Sequence, residues 1–168
     1  DYIGVEYPWD KYDQVVVEDF NWGGMENVSQ STMTTRAIQD AETRKIRSAE
    51  GLVAHELAHQ WFGDLITCKD WSHIWLNEGF ATYYDALYHE HEYGRDRFLW
   101  EMRGNASSVL RQKNDIKPMV YKEYEDAVEQ FDYRAYPKGS WILHMLRSQL
   151  GDELYRKVVK TYLDRFSF

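Results

Sequence analysis

The 168-residue chain holds a single cysteine, Cys68, which excludes an internal disulfide and with it a disulfide-stapled scaffold. That count suits a reducing compartment without requiring one. No apolar run approaches the roughly 18 residues that span a bilayer, and no signal peptide is visible. Lys and Arg number 20 against 28 Asp and Glu, a net charge of −8 with no basic block. Such a chain is a poor ligand for nucleic acid or anionic membrane. The negative charge serves solubility or attracts a cationic ligand such as a protonated peptide amine, and composition alone leaves both open. Internal repeats, low-complexity tracts and Ser/Gly linkers are also missing, so one domain over residues 1–168 is expected. The chain does not begin with Met, and it reads as a fragment or processed piece. A soluble protein is expected, with cytoplasmic and exported addresses both compatible.

What is present points to a packed domain. Hydrophobic residues make up 43% and aromatic residues 16%, with seven Trp and thirteen Tyr, which fits a deep cleft or a domain that packs against neighbours. The first third reads as β-rich. Residues 14–20 form a strand with a buried stretch, Trp22 to Asn27 an irregular segment marked by paired glycines, and Ser31 to Arg36 a Thr-rich strand. From Ser48 the pattern turns helical. Leu52, Val53, Leu57, Ala58, Trp61 and Phe62 cover most of a helix circumference, which predicts a central, buried helix stopping at Gly63. Further helices are expected over 74–92 and 95–112, followed by a loop over 113–135. Pro137 opens a fourth helix and holds Tyr136 extended, and Gly151 ends that helix. Asp152 caps a last helix with the stripe Leu154, Val158, Tyr162 and Phe166. Strands first and helices later make the fold class α+β, a small N-terminal β portion followed by a mainly helical one.

The segment that carries chemistry is His55-Glu56-Leu57-Ala58-His59. Residues four apart on a helix return to nearly the same face, so the two imidazoles can grip one Zn²⁺. Glu56, turned about 100° from His55, flanks the metal where it can take a proton from water. Polar groups inside an apolar helix need partners, which adds weight to a metal. A catalytic zinc takes three protein ligands and keeps a fourth position open. Glu78, in Trp75-Leu-Asn-Glu-Gly-Phe80, follows His59 after eighteen residues, and its apolar flanks turn it inward. Asn77 and Thr82 are candidate supporting partners for that shell. His73, His89, His91 and His144 lack ligand spacing and read as surface or core residues, and Cys68 as no part of a closed four-ligand site.

These residues resemble the gluzincin aminopeptidases of the aminopeptidase N and leukotriene-hydrolase type. The likeness extends over Ala54 to Gly63 and covers most of the chain, from about Tyr7 to Phe166. It implies a thermolysin-like catalytic domain with one zinc per chain held by His55, His59 and Glu78. It also implies a flanking N-terminal β domain and a C-terminal helical domain, both expected to be absent here. Gly23-Gly-Met-Glu-Asn27 resembles the family's G-A-M-E-N motif, with Gly24 where Ala is commonest. The resemblance makes Gly24, Met25, Glu26 and Asn27 substrate-binding, with Glu26 on the α-amine and Met25 lining the first-residue pocket. A carboxylate near zinc suits an ammonium and would leave only the first peptide bond in reach. Taken alone, Glu26 reads as a loop charge. Tyr136-Pro-Lys-Gly139 resembles the family's Y-x-K-G, whose tyrosine stabilises the oxyanion. Tyr133 is a rival, and a packed aromatic is the reading without the family.

The implied function is hydrolysis of the N-terminal peptide bond of peptides, with Glu56 as general base and Tyr136 as oxyanion donor. An endopeptidase or epoxide hydrolase on the same frame, or an inactive zinc-binding fragment or scaffold that needs partner domains, are the alternatives. The isolated domain is expected to be slow and to self-associate through exposed apolar surface.

Overall fold

The computed structural model describes residues 2–114 and 117–167. Three strands come first: β1 (Asp13–Val17), β2 (Gly24–Met25) and β3 (Gln30–Thr34), ordered β1–β3–β2. β1 lies parallel to β3, with Val15 opposite Thr32, and β2 lies antiparallel to it, with Met25 opposite Thr32. β1 stops at Val17 instead of reaching Phe20, because the chain turns at Glu18-Asp19, with Asp19 at φ 52°. β3 begins at Gln30 and gives way after Thr34 to a 3₁₀ turn, Thr35–Ala37. A short helix not foreseen from the pattern follows, α1 (Ala41–Ile46), where Asp40 accepts the Thr43 N–H at 2.7 Å as its N-cap.

The helical portion comprises α2 (Glu50–Ala58), α3 (Trp75–Tyr93), α4 (Arg95–Leu110), α5 (Gly139–Leu150) and α6 (Asp152–Phe166). α3 is its axis. It packs against α2, α4 and α5, and Ala81, Tyr83, Ala86 and Leu87 on it are buried. Phe62 stacks on Phe80 at 4.3 Å between centroids, and Tyr84 and Tyr162 extend the aromatic layer. At the far end of α3, Arg147 binds Glu90 at 2.8 Å and Asp152 at 2.7 Å, which ties α3, α5 and the start of α6. Among the described residues no helix is long and apolar enough to cross a membrane.

Several expectations need correction. α2 ends at Ala58, not at Phe62. Beyond it, wide i to i+5 bonds (Asp64 N–H to His59 O, 3.0 Å; Ile66 N–H to Trp61 O, 3.0 Å) wind the chain into turns that bury Gln60, Trp61 and Phe62. Nor is α2 buried all round. Val53, Ala54 and Leu57 line an apolar cavity of about 1060 Å³ on one side, while His55 and Glu56 face a second cavity on the other. Residues 115 and 116 of the expected loop 113–135 lie outside the described residues. The rest of that loop includes a 3₁₀ turn, Ala127–Gln130, closed by an Asp126/Glu129 capping box.

Pro137 does not open α5, and Tyr136 is not extended: both sit in a π turn, Arg134–Lys138. In that wider turn the Tyr133 carbonyl accepts the Lys138 N–H at 2.9 Å, so the missing N–H of Pro137 costs no helical bond. On α6 the buried row is Tyr155, Val159 and Leu163, whereas Leu154, Val158 and Phe166 are exposed. Asp152 pairs with Arg147 and gives α6 no side-chain cap.

Candidate metal centre

α2 and α3 lie side by side, and their facing sides bring three ligand atoms together. His55 Nε2 stands 3.1 Å from Glu78 Oε2, His59 Nε2 stands 3.2 Å from the same oxygen, and the two imidazole nitrogens are 3.1 Å apart. Three ligands at zinc bond lengths in a tetrahedral array are spaced by roughly 3.3 Å. The triad therefore has the dimensions of half a coordination shell and more, with the cleft side open. The chemistry of the donors agrees. His59 Nδ1 donates to the Phe62 carbonyl at 2.9 Å, which orients the ring so that Nε2 faces the triad. Glu78 is buried, and burial alone would raise its carboxyl, but hydrogen bonds from His55 and His59 hold it down at about 2, as an anion. A second group, Glu26, Glu56 and His59, also lies within reach of one ion. In it the His59 nitrogen facing Glu26 at 3.9 Å is Nδ1, which already donates to Phe62, so the first triad is the better candidate.

Glu56 stands beside the triad, 4% exposed. Burial pushes its carboxyl up to about 8, and Glu26, Glu78 and Asp64 push the same way against His59. A carboxyl held in that range exchanges protons near neutral pH. Opposite it, Gly24 and Met25 on β2 and Glu26 just beyond line the cleft, whose volume is about 870 Å³. Glu26 Oε1 is 3.9 Å from His59 Nδ1. Asn27 faces elsewhere: its amide donates to Thr32 Oγ1 at 2.9 Å and to the Met25 carbonyl at 3.4 Å, which braces the turn from β2 to β3.

Tyr136 closes the site from the π turn. Its ring stacks on His55 at 6.1 Å, and burial together with the Glu78 carboxylate pushes its phenol far up, so it stays a neutral O–H donor. Of Tyr136 and Tyr133, Tyr136 is the one that lines the cleft. Its position depends on a helix crossing without side chains. A Cβ on Gly79 would fall 2.8 Å from the Gly139 Cα, so α3 and α5 meet backbone to backbone, one residue from Glu78 and three from Tyr136. Only glycine permits that approach.

Asn77 does not support the triad directly; its Oδ1 holds the Cys68 N–H at 3.3 Å. Thr82 Oγ1 is buried with no partner. Among the described residues, neither Cys68 nor the other four histidines joins a metal group. Trp22, Trp71 and Phe131 form an aromatic rim on the cleft, with Phe131 at 6.3 and 5.9 Å from the two indoles. The sequence offered no signal for that rim, because its members lie on three separate segments. Asp64, with a carboxylate oxygen buried near Glu26, was also missed; it directly follows the glycine read as a helix stop. The larger apolar cavity behind α2 contains none of this chemistry, and the donor set makes the smaller cleft the candidate functional site.

A histidine on α2, a second at its C-cap, a flanking glutamate and a carboxylate from α3 form a candidate metal centre of the kind metallopeptidases use. The chain belongs to peptidase family M1, whose domain description matches residues 1–168. It is 36% identical to aminopeptidase M1-A of Oryza sativa subsp. japonica over 178 residues, covering 100% of this chain and 20% of that protein. It is 35% identical to the mitochondrial aminopeptidase 2 of Saccharomyces cerevisiae, covering 99% and 18% respectively. Among solved structures, native yeast LTA4 hydrolase matches with TM-score 0.86 and 28% identity, over 98% of this chain and 27% of that one. The M1 zinc metallopeptidase of Deinococcus radiodurans matches with TM-score 0.75 and 29% identity, over 96% and 33%. The chain thus spans about a fifth of the length of the curated relatives it matches.

Proposed function

We propose that residues 1–168 form the thermolysin-like catalytic domain of a zinc aminopeptidase that removes residues from the N-terminus of peptides. The observation that carries this reading is the convergence of His55 Nε2, His59 Nε2 and Glu78 Oε2 within 3.1–3.2 Å, beside a buried Glu56. The names of the curated relatives and the solved M1 zinc metallopeptidases support it.

His55, His59 and Glu78 would hold one Zn²⁺. When bound, the metal supplies Lewis acidity, acidifying water and polarising a carbonyl. Glu26 pairs with the substrate's α-ammonium and fixes the chain end, so that only the first peptide bond reaches Glu56. Met25 lines the pocket for the first side chain. Glu56 takes the proton of the attacking water and returns it to the leaving amine. The Tyr136 hydroxyl donates to the oxygen that gains charge in the tetrahedral adduct.

Hydrolysis of leucine anilide and of its N-acetyl twin, before and after chelation, tests the reading. Cleavage of the free-amine substrate alone, lost on chelation and restored by zinc, is the expected result. Equal cleavage of both substrates would make the enzyme an endopeptidase, and chelation-resistant cleavage would dismiss the metal.

A further inference from the structure

Gln60 follows the second histidine and is fully buried, next to Ala58, Trp61 and Phe62. A primary amide in such surroundings is costly unless its hydrogen-bonding capacity is met. One loop meets most of it. Oε1 accepts the Ser29 N–H at 2.7 Å, and Nε2 donates to the carbonyls of Glu26 at 3.4 Å and Asn27 at 3.3 Å. The Tyr7 hydroxyl approaches the same Oε1 at 3.3 Å. These backbone groups lie in the loop between β2, which ends at Met25, and β3, which begins at Gln30, where the Asn27 carbonyl also accepts the Gln30 N–H at 2.9 Å. The loop also holds Ser29 at φ 61°, a conformation that costs a non-glycine residue and persists only where its surroundings enforce it.

The turn that carries Gln60 also carries His59, whose ring is 3.9 Å from the Glu26 carboxylate. One rigid turn therefore presents a metal ligand and grips the backbone of the residue that would anchor the substrate. We infer that Gln60 is a positioning residue that sets the distance from Glu26 to the metal group, and through it the preference for ligands with a free α-amine. This rests on the reading of Glu26 as the amine anchor.

Leucine hydroxamate and its des-amino counterpart separate the two ideas. Both can chelate the metal, and only the first carries an ammonium. Inhibition constants are measured on the zinc-loaded protein, on Glu26→Gln, and on Gln60→Leu and Gln60→Glu, with zinc content determined for each. Gln60→Glu keeps the side-chain size and an acceptor for the Ser29 N–H, and loses the donor to the two carbonyls. In both Gln60 variants the constant for leucine hydroxamate should rise about tenfold while that for the des-amino ligand stays within about twofold, at one zinc per chain. Parallel weakening of both ligands, or no weakening of either, overturns the inference, because a merely structural glutamine would not distinguish them. If the unaltered protein and Glu26→Gln both fail to prefer the amine-bearing ligand, the reading of Glu26 falls first, and the role of Gln60 falls with it.

Discussion

Gly24 lies directly against Glu56: a Cβ at Gly24 would stand 2.6 Å from Glu56 Cγ and nearer still to its carboxylate. The missing side chain is therefore the space in which the Glu56 carboxyl, the proposed general base, sits. The expected outcome of Gly24→Val, a branched residue larger than the family's usual Ala, is a displaced Glu56 and a fall in kcat of about tenfold or more, with zinc content unchanged. Steady-state kinetics and metal analysis on the same sample check it.

Glu56 should also be visible in the stability of the metal-free protein. Its carboxyl is raised to about 8 in the folded chain, so the folded state binds a proton more tightly than the unfolded one. The stabilisation is complete below the ordinary glutamate range and is lost as pH rises through about 8. Glu56→Gln removes that loss. The variant should be more stable than the parent by about 2 kcal/mol at pH 9, with the gap closing toward pH 4. Denaturant melts across that window measure it, while kcat of the zinc-loaded variant should drop by about 100-fold or more.

Tyr136→Phe deletes one donor and keeps the ring stacked on His55. Removal of an oxyanion donor lowers kcat by about 100-fold to 1000-fold, with KM and zinc content little changed. A purely packing role would leave kcat nearly intact.

Arg147→Met tests the ion pairs that join α3, α5 and α6. Arg147 hydrogen bonds hold Asp152 below its usual range, and they hold Glu90 low against the opposing effect of burial. Depressed carboxyls contribute stability above the unfolded carboxylate range that disappears as pH falls through their folded values. The variant should lose about 2 kcal/mol at pH 7, a figure already reduced for the exposure of Asp152. The deficit should shrink below about pH 4.

The parts of the site that depend on spacing within one element were legible in the sequence. His55 and His59 face the same way because four residues nearly complete a helical turn. Glu78 meets His55 and His59 through the packing of α2 on α3, which apolar flanks suggested and family likeness located. Features decided by tertiary partners were not legible. On α6 two adjacent four-spaced rows are both largely apolar. The deeper one is the row whose Tyr155 meets Tyr83 edge-on at 6.0 Å, and no periodicity distinguishes the two. The proline rule placed Tyr136 in extended backbone, yet a π turn accommodates Pro137 without it. Gln60 was overlooked because a buried amide with backbone partners 31 to 34 residues away leaves no local trace.

Where Gly79 meets Gly139, the two helices touch with no side chain between them. Such a joint has no rotamers through which to relax, so the separation of Glu78 and Tyr136 is fixed by main-chain geometry. Substitutions elsewhere in the core can be absorbed by repacking without reaching it. The aromatic rim of Trp22, Trp71 and Phe131 has no such constraint: its indoles are half-exposed, on separate segments, and free to change size. A cleft built this way can change at its mouth while Glu78 and Tyr136 at its floor keep their places.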